Sequence, residues 1–95
     1  LRVHWTNTAT EHLVAIYEYI ARDSQDYALR MVDRITARSE QVAMHPQSGR
    51  MVPEYQHEHV REVIESPYRI IYRILEDRID VVAVLHGARL IQPEH

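Results

Sequence analysis

VREVIESPYRIIYRILEDRIDVVAVLHGAR, residues 60–89, decides the fold. β-Branched and aromatic residues dominate it, and breaks fall at Ser66-Pro67 and at Glu76-Asp77-Arg78. Alternating side chains leave opposite faces of a strand. The run therefore predicts strands over Val60 to Glu65, Tyr68 to Leu75 and Ile79 to His86, ended by Gly87, and the short connections make them an antiparallel meander. In the middle strand Tyr68, Ile70, Tyr72 and Ile74 share one face, while Arg69, Ile71, Arg73 and Leu75 share the other.

Upstream the period changes. Arg2 to Trp5 alternates as a short first strand. Thr8 and Glu11 have the spacing of a capping box, which predicts a helix from about Ala9 to Arg22 with Leu13, Ile16, Tyr17 and Ile20 on its buried face. Ser24 is placed to cap a second helix over Gln25 to Met44, where Ala28, Met31, Val32, Ile35, Ser39 and Val42 form the stripe and Pro46 and Gly49 end it. So short a break makes the helices an antiparallel hairpin. Pro46 to His59 has no period and reads as an ordered surface loop. The expected architecture is α+β, in the order β-α-α-β-β-β, as a single domain over residues 1–95. Its sheet is antiparallel, with the N-terminal helical hairpin packed on one face.

Composition narrows the function. The net charge is −3, which argues for little direct binding to DNA or RNA, since that affinity comes mainly from neutralising phosphates. There is no cysteine, and no segment approaches the ~20 apolar residues of a membrane span, so a cytoplasmic protein is the expectation. All the basic residues are arginine. No phosphate-binding glycine loop, dinucleotide fingerprint or HExxH pattern occurs, and neither cofactor nor metal is expected.

Arg69 and Arg73 leave the strand face opposite the helices, and Arg61, His86 and Arg89, in or just past the neighbouring strands, are the candidates to join them there. Such a group suits a phosphate, with arginine stabilising charge and histidine moving a proton. Glu62, Glu65, Glu76, Asp77 and Asp80 equal the arginines of this stretch in number, so cross-strand ion pairs account for the same charges. His57-x-His59 offers two metal ligands without an identifiable third, and Arg30, Arg34 and Arg38 stripe the second helix as a solvated face or a docking edge.

Pro46-x-x-Gly49-Arg50-x-Val52-Pro53-Glu54, Val60-Arg61-Glu62, Tyr68-Arg69-Ile70-Ile71-Tyr72-Arg73-Ile74 and Val84-x-His86-Gly87-x-Arg89 together resemble the ParE and RelE superfamily of toxins from type II toxin-antitoxin modules, plasmid stabilisation proteins among them. The resemblance implies a toxin bound by a cognate antitoxin in a hetero-oligomer. RelE-like members are ribosome-dependent mRNA endonucleases, and for that activity Arg69 and Arg89 match the two arginines, with His86 in place of a missing base. ParE-like members act on DNA gyrase. The acidic balance, the absence of lysine and the lack of tyrosine after Tyr72 place this chain nearer the ParE-like branch. On that reading Arg61, Arg69, Arg73, His86 and Arg89 bind the target or the antitoxin. A degenerate toxin that binds its antitoxin and harms nothing is the remaining alternative.

Overall fold

In a computed structural model, which describes residues 1–87, the chain builds β1 (Arg2–Trp5), α1 (Asn7–Ala21), α2 (Gln25–Met44), a 3₁₀ turn (Pro46–Ser48), β2 (Arg50–Met51), β3 (Val60–Glu65), β4 (Tyr68–Ile74) and β5 (Arg78–His86). The strands form one sheet in the order β1-β5-β4-β3-β2, with the helical hairpin across one face. The α+β architecture and the β3-β4-β5 meander are as the periodicity predicts.

The sheet is mixed rather than wholly antiparallel, because β1 runs parallel to β5, with Arg2 opposite Arg78 and Trp5 opposite Val81. The reason lies in β2, which the lack of period assigns to loop. Successive legs of this chain reverse direction, and β2 adds one leg, antiparallel to β3, so that β5 ends up pointing the same way as β1.

Helix α1 begins earlier than the Thr8 capping box predicts. Its N-cap is Thr6, whose Oγ1 accepts from the Ala9 N–H (3.1 Å) and donates to the Val81 carbonyl (3.1 Å). The same hydroxyl thus starts the helix and ties it to β5, a tertiary bond that local spacing does not encode. Where β1 stops, α1 also supplies His12, whose Nδ1 accepts the Val84 N–H (3.2 Å) and so carries no proton. Ser24 caps α2 as expected, its Oγ accepting from the Tyr27 N–H.

Met31, Ile35 and Val42 of α2 pack with Ile70 and Tyr72 of β4 and Ile79, Val81 and Val84 of β5 to form the main core. A second, smaller core lies on the other face, where Val52, from the segment after β2, folds onto Val60 and Ile71. Burying such a valine contributes about 1.5–3 kcal/mol. The face expected to be open is therefore partly roofed, and Ile71 on it is buried.

Between Ile71 and Tyr72 the β4–β5 register slips. Ile71 faces Ala83 and Tyr72 faces Val81, which leaves Val82 as a bulge. A one-residue slip exchanges the faces of every side chain beyond it.

Candidate functional site

The site is built on β3 and β4. Antiparallel pairing sets Glu62 opposite Ile71 and Ile64 opposite Arg69, so Glu62, Arg69, Ile71 and Arg73 share the face away from the helices. Arg69 and Arg73 occupy the predicted face. Their environments differ completely. Arg69 is 4% exposed, whereas Arg73 is exposed and makes no hydrogen bond or ion pair among the described residues.

Two carboxylates hold Arg69. Its Nε donates to Glu62 Oε1 (2.7 Å), and Nη1 and Nη2 donate to Glu54 Oε2 and Oε1 (2.9 Å each). Glu62, itself 1% exposed, accepts from Arg50 Nε on its second oxygen (2.6 Å). The bond to Glu54 is the largest cause that raises the Arg69 pKa above its ordinary value, burial opposes it, and Glu62 adds to it. The guanidinium is thus permanently charged, and each of its three nitrogens donates to a carboxylate. The cross-strand ion pairing expected of Glu62 is present. The other acids pair differently, Glu65 with Arg34 of α2, Asp77 with Arg2 of β1 and Asp80 with Arg78 of its own strand, while Arg61 and Arg73 pair with no carboxylate among the described residues.

The other candidates lie elsewhere. Arg61 is opposite Tyr72, on the helix side, where it donates to the carbonyls of Gly49 (2.9 Å) and Glu58 (3.0 Å). Without the bulge His86 would share the face of Asp80 and Arg73. With it, His86 is opposite Tyr68 on the helix side, and their rings meet edge to face at 6.0 Å. Arg89 lies outside the described residues. The five candidates therefore do not form one cluster: Arg69 and Arg73 stand on one face, Arg61 and His86 on the other. Among the described residues no group of metal-ligating side chains is assembled: His57 and His59 lie on one turn with rings 5.7 Å apart, and His59 Nε2 is 3.5 Å from Glu58 Oε1.

What sequence reasoning missed is the part played by Arg50 and Glu54. Both lie in the stretch without period, and nothing local announces that Val52 is a core residue that draws Glu54 onto Arg69. The entry to that stretch is fixed by Tyr72, whose hydroxyl donates to the Pro46 carbonyl (2.6 Å) and accepts from the Gly49 N–H (3.1 Å). Burial raises the Tyr72 pKa, against the Gly49 hydrogen bond and the charges of Arg61 and Arg38. On the helix side, a groove of about 380 Å³ runs between the hairpin and the sheet, lined by Tyr19, Ile20, Tyr27, Met31, Tyr68 and His86 among others.

A sequence profile described as ParE toxin of type II toxin-antitoxin system, parDE, matches residues 3–91. The chain belongs to this family. It is similar to toxin RelE2 of Caulobacter vibrioides, with 33% identity over 90 residues covering 94% of this chain and 98% of that protein. The fold matches the chromosomal ParDE toxin-antitoxin system from P. aeruginosa at a TM-score of 0.74 and 22% identity, over 90% of this chain and 95% of that one. It also matches the YoeB dimer from Staphylococcus aureus at 0.60 and 13%, over 90% and 95%. At those identities the two structures speak for the fold alone. Family membership agrees with the order in which the sequence motifs fall and with the two-helix, five-strand architecture. Among the described residues no helix is long and apolar enough to cross a membrane.

Proposed function

We propose that this ParE-family toxin acts on DNA gyrase in the cytoplasm and is neutralised by a cognate antitoxin, rather than cutting ribosome-bound mRNA. The observation that carries this is the engagement of Arg69 by Glu54 and Glu62. A nuclease would use this arginine to stabilise a phosphoryl transition state, yet its donors already serve carboxylates that repel an incoming phosphate. His86, the substitute base, stands on the opposite face of the sheet. The net charge of −3 adds to the argument, because an RNA-rich target rewards a basic surface.

An antitoxin segment carrying acids and leucines suits two features of this surface. Arg73 offers an exposed charge, and the groove between hairpin and sheet offers an apolar seat. The test compares two assays on the purified chain. Inhibition of supercoiling by gyrase, with mRNA on programmed ribosomes left intact, is the expected result. Codon-associated cleavage of that mRNA with supercoiling unaffected overturns the reading.

A further inference from the structure

Residues 52–59 contain no regular secondary structure, yet their backbone is held at almost every step. The N–H groups of Tyr55 and Gln56 both donate to the Val52 carbonyl (3.0 Å each), and the Val60 N–H donates to the His57 carbonyl (3.0 Å). The Ile74 N–H reaches across from β4 to the His59 carbonyl (2.8 Å), and Arg61 takes the Glu58 carbonyl. The His59 N–H donates to Nδ1 of His57 (3.1 Å). Two side chains fasten the segment to the sheet: Val52, fully buried in the second core, and Glu54, clamped by Arg69.

The remaining side chains point the other way. Pro53, Tyr55, Gln56, His57, Glu58 and His59 are all exposed, Tyr55 to 43%. Gln56 takes the left-handed conformation (φ 52°), uncommon for a residue other than glycine, and this tightens the turn that displays its neighbours. A rigid backbone with exposed side chains is how folds present recognition loops.

The clamp strengthens the point. A buried arginine held by two carboxylates contributes little net stability, because apolar residues of similar size do as well, but it fixes geometry. Here the geometry it fixes is that of the loop.

We infer that the loop of residues 53–59 is the surface through which this toxin grips its protein target, with Tyr55, Gln56, His57 and His59 making contact and Glu54 and Arg69 as positioning residues beneath them. The chemistry fits a polypeptide. Aromatic and polar groups on a fixed loop resemble a binding surface for protein, and the loop carries no lysine or arginine to meet phosphates, its exposed Glu58 repelling them instead. The inference rests on the reading of a protein target given above and names where that target is held.

The experiment pairs two variants with two readouts. Tyr55→Ala/His59→Ala removes exposed side chains outside the backbone bonding of the loop, so its Tm should stay within about 2 °C of wild type. Growth arrest on induction should disappear, and the concentration needed to inhibit gyrase supercoiling should rise by at least about tenfold. The apolar set Glu54→Leu/Glu62→Leu/Arg69→Met should fold and melt cooperatively yet lose growth arrest, which a purely structural role for the clamp would not produce. Wild-type growth arrest in the loop variant overturns the inference, whether or not the apolar set folds. Arrest by the wild type without gyrase inhibition overturns the gyrase reading alone, since growth arrest still judges the loop. A wild-type chain that arrests nothing overturns both. Loss of mRNA cleavage on ribosomes in the loop variant, with gyrase untouched throughout, makes the loop a nucleic-acid contact and overturns its assignment to a protein target.

Discussion

Arg69 and Glu54 form a two-pronged ion pair, each terminal nitrogen of the guanidinium 2.9 Å from its own carboxylate oxygen, and Glu62 closes the third side. Removing the arginine alone leaves a fully buried carboxylate at Glu62 that, among the described residues, pairs with Arg50 alone. Arg69→Ala should therefore cost about 3–5 kcal/mol, the range for breaking a buried pair from one side. Urea unfolding of the purified variant measures it, and a loss below about 1 kcal/mol would show that Glu62 finds water or another partner.

Arg73 behaves as the opposite case, four residues along the same strand. Its side chain is exposed and makes no hydrogen bond or ion pair among the described residues, so Arg73→Gln should leave stability within about 0.5 kcal/mol of wild type. If an acidic antitoxin segment docks on this face, the same variant should bind it more weakly and with a flatter dependence on salt. Titration of the variant at two ionic strengths checks both statements.

The contrast between these arginines marks the limit of what sequence patterning reveals. Alternation from Tyr68 to Ile74 placed both on the face away from the helices, and that is where they are. Burial on that face depended instead on Val52, a single apolar residue in a stretch with no period, and on which strand Glu62 would lie beside. The faces of Arg61 and His86 turned on register. Arg61 lands opposite Tyr72 because Val60 pairs with Arg73, and His86 changes sides because of one bulged residue, Val82. Helix faces, the N-cap of α2 and the identities of β1, β3, β4 and β5 are local properties and were legible, whereas the two-residue β2 has no period to reveal it. Register, bulges and loop roofing are set by contacts distant in sequence, and they govern the site.

Gly49 is a position where the backbone needs the absence of a side chain. A Cβ there would strike the Tyr72 hydroxyl and lie 2.7 Å from the Glu62 carbonyl oxygen, and Tyr72 is fully buried. Gly49→Ala should destabilise by about 1–3 kcal/mol through overpacking. Tyr72→Phe should cost about the same, because the Gly49 N–H and the Pro46 carbonyl lose their common partner inside the fold. If the two act on one contact, the double variant should cost less than the sum, and a double-mutant cycle by thermal melting reads that coupling.

Two threonines two residues apart make a sharp test of how helix α1 starts. Thr6 carries the cap bond to Ala9 and the bond to Val81, whereas Thr8 is exposed within the first turn. Thr6→Ala should lose about 1–2 kcal/mol. Thr8→Ala should change stability by less than about 0.5 kcal/mol. Equal losses in urea titrations would return the cap to Thr8.

Asp80 sets the expected acid limb of the stability profile. The Arg78 hydrogen bond is the main cause that holds its carboxyl below the usual range, burial opposes it, and His4 adds a second bond on the same oxygen. A carboxyl whose folded pKa is lower than its unfolded value stabilises the fold above the unfolded value, about 3.9 for aspartate, and loses that contribution as pH falls through the folded value. Asp80→Asn should therefore lower Tm by about 2–4 °C at pH 7, a partly exposed pair being worth well under 1 kcal/mol. The difference from wild type should shrink below about pH 4 and vanish once the native carboxyl is protonated. Melting curves of both proteins from pH 2 to 7 give the comparison, and a Tm difference that stays constant across the range would assign the effect of the substitution to packing rather than to charge.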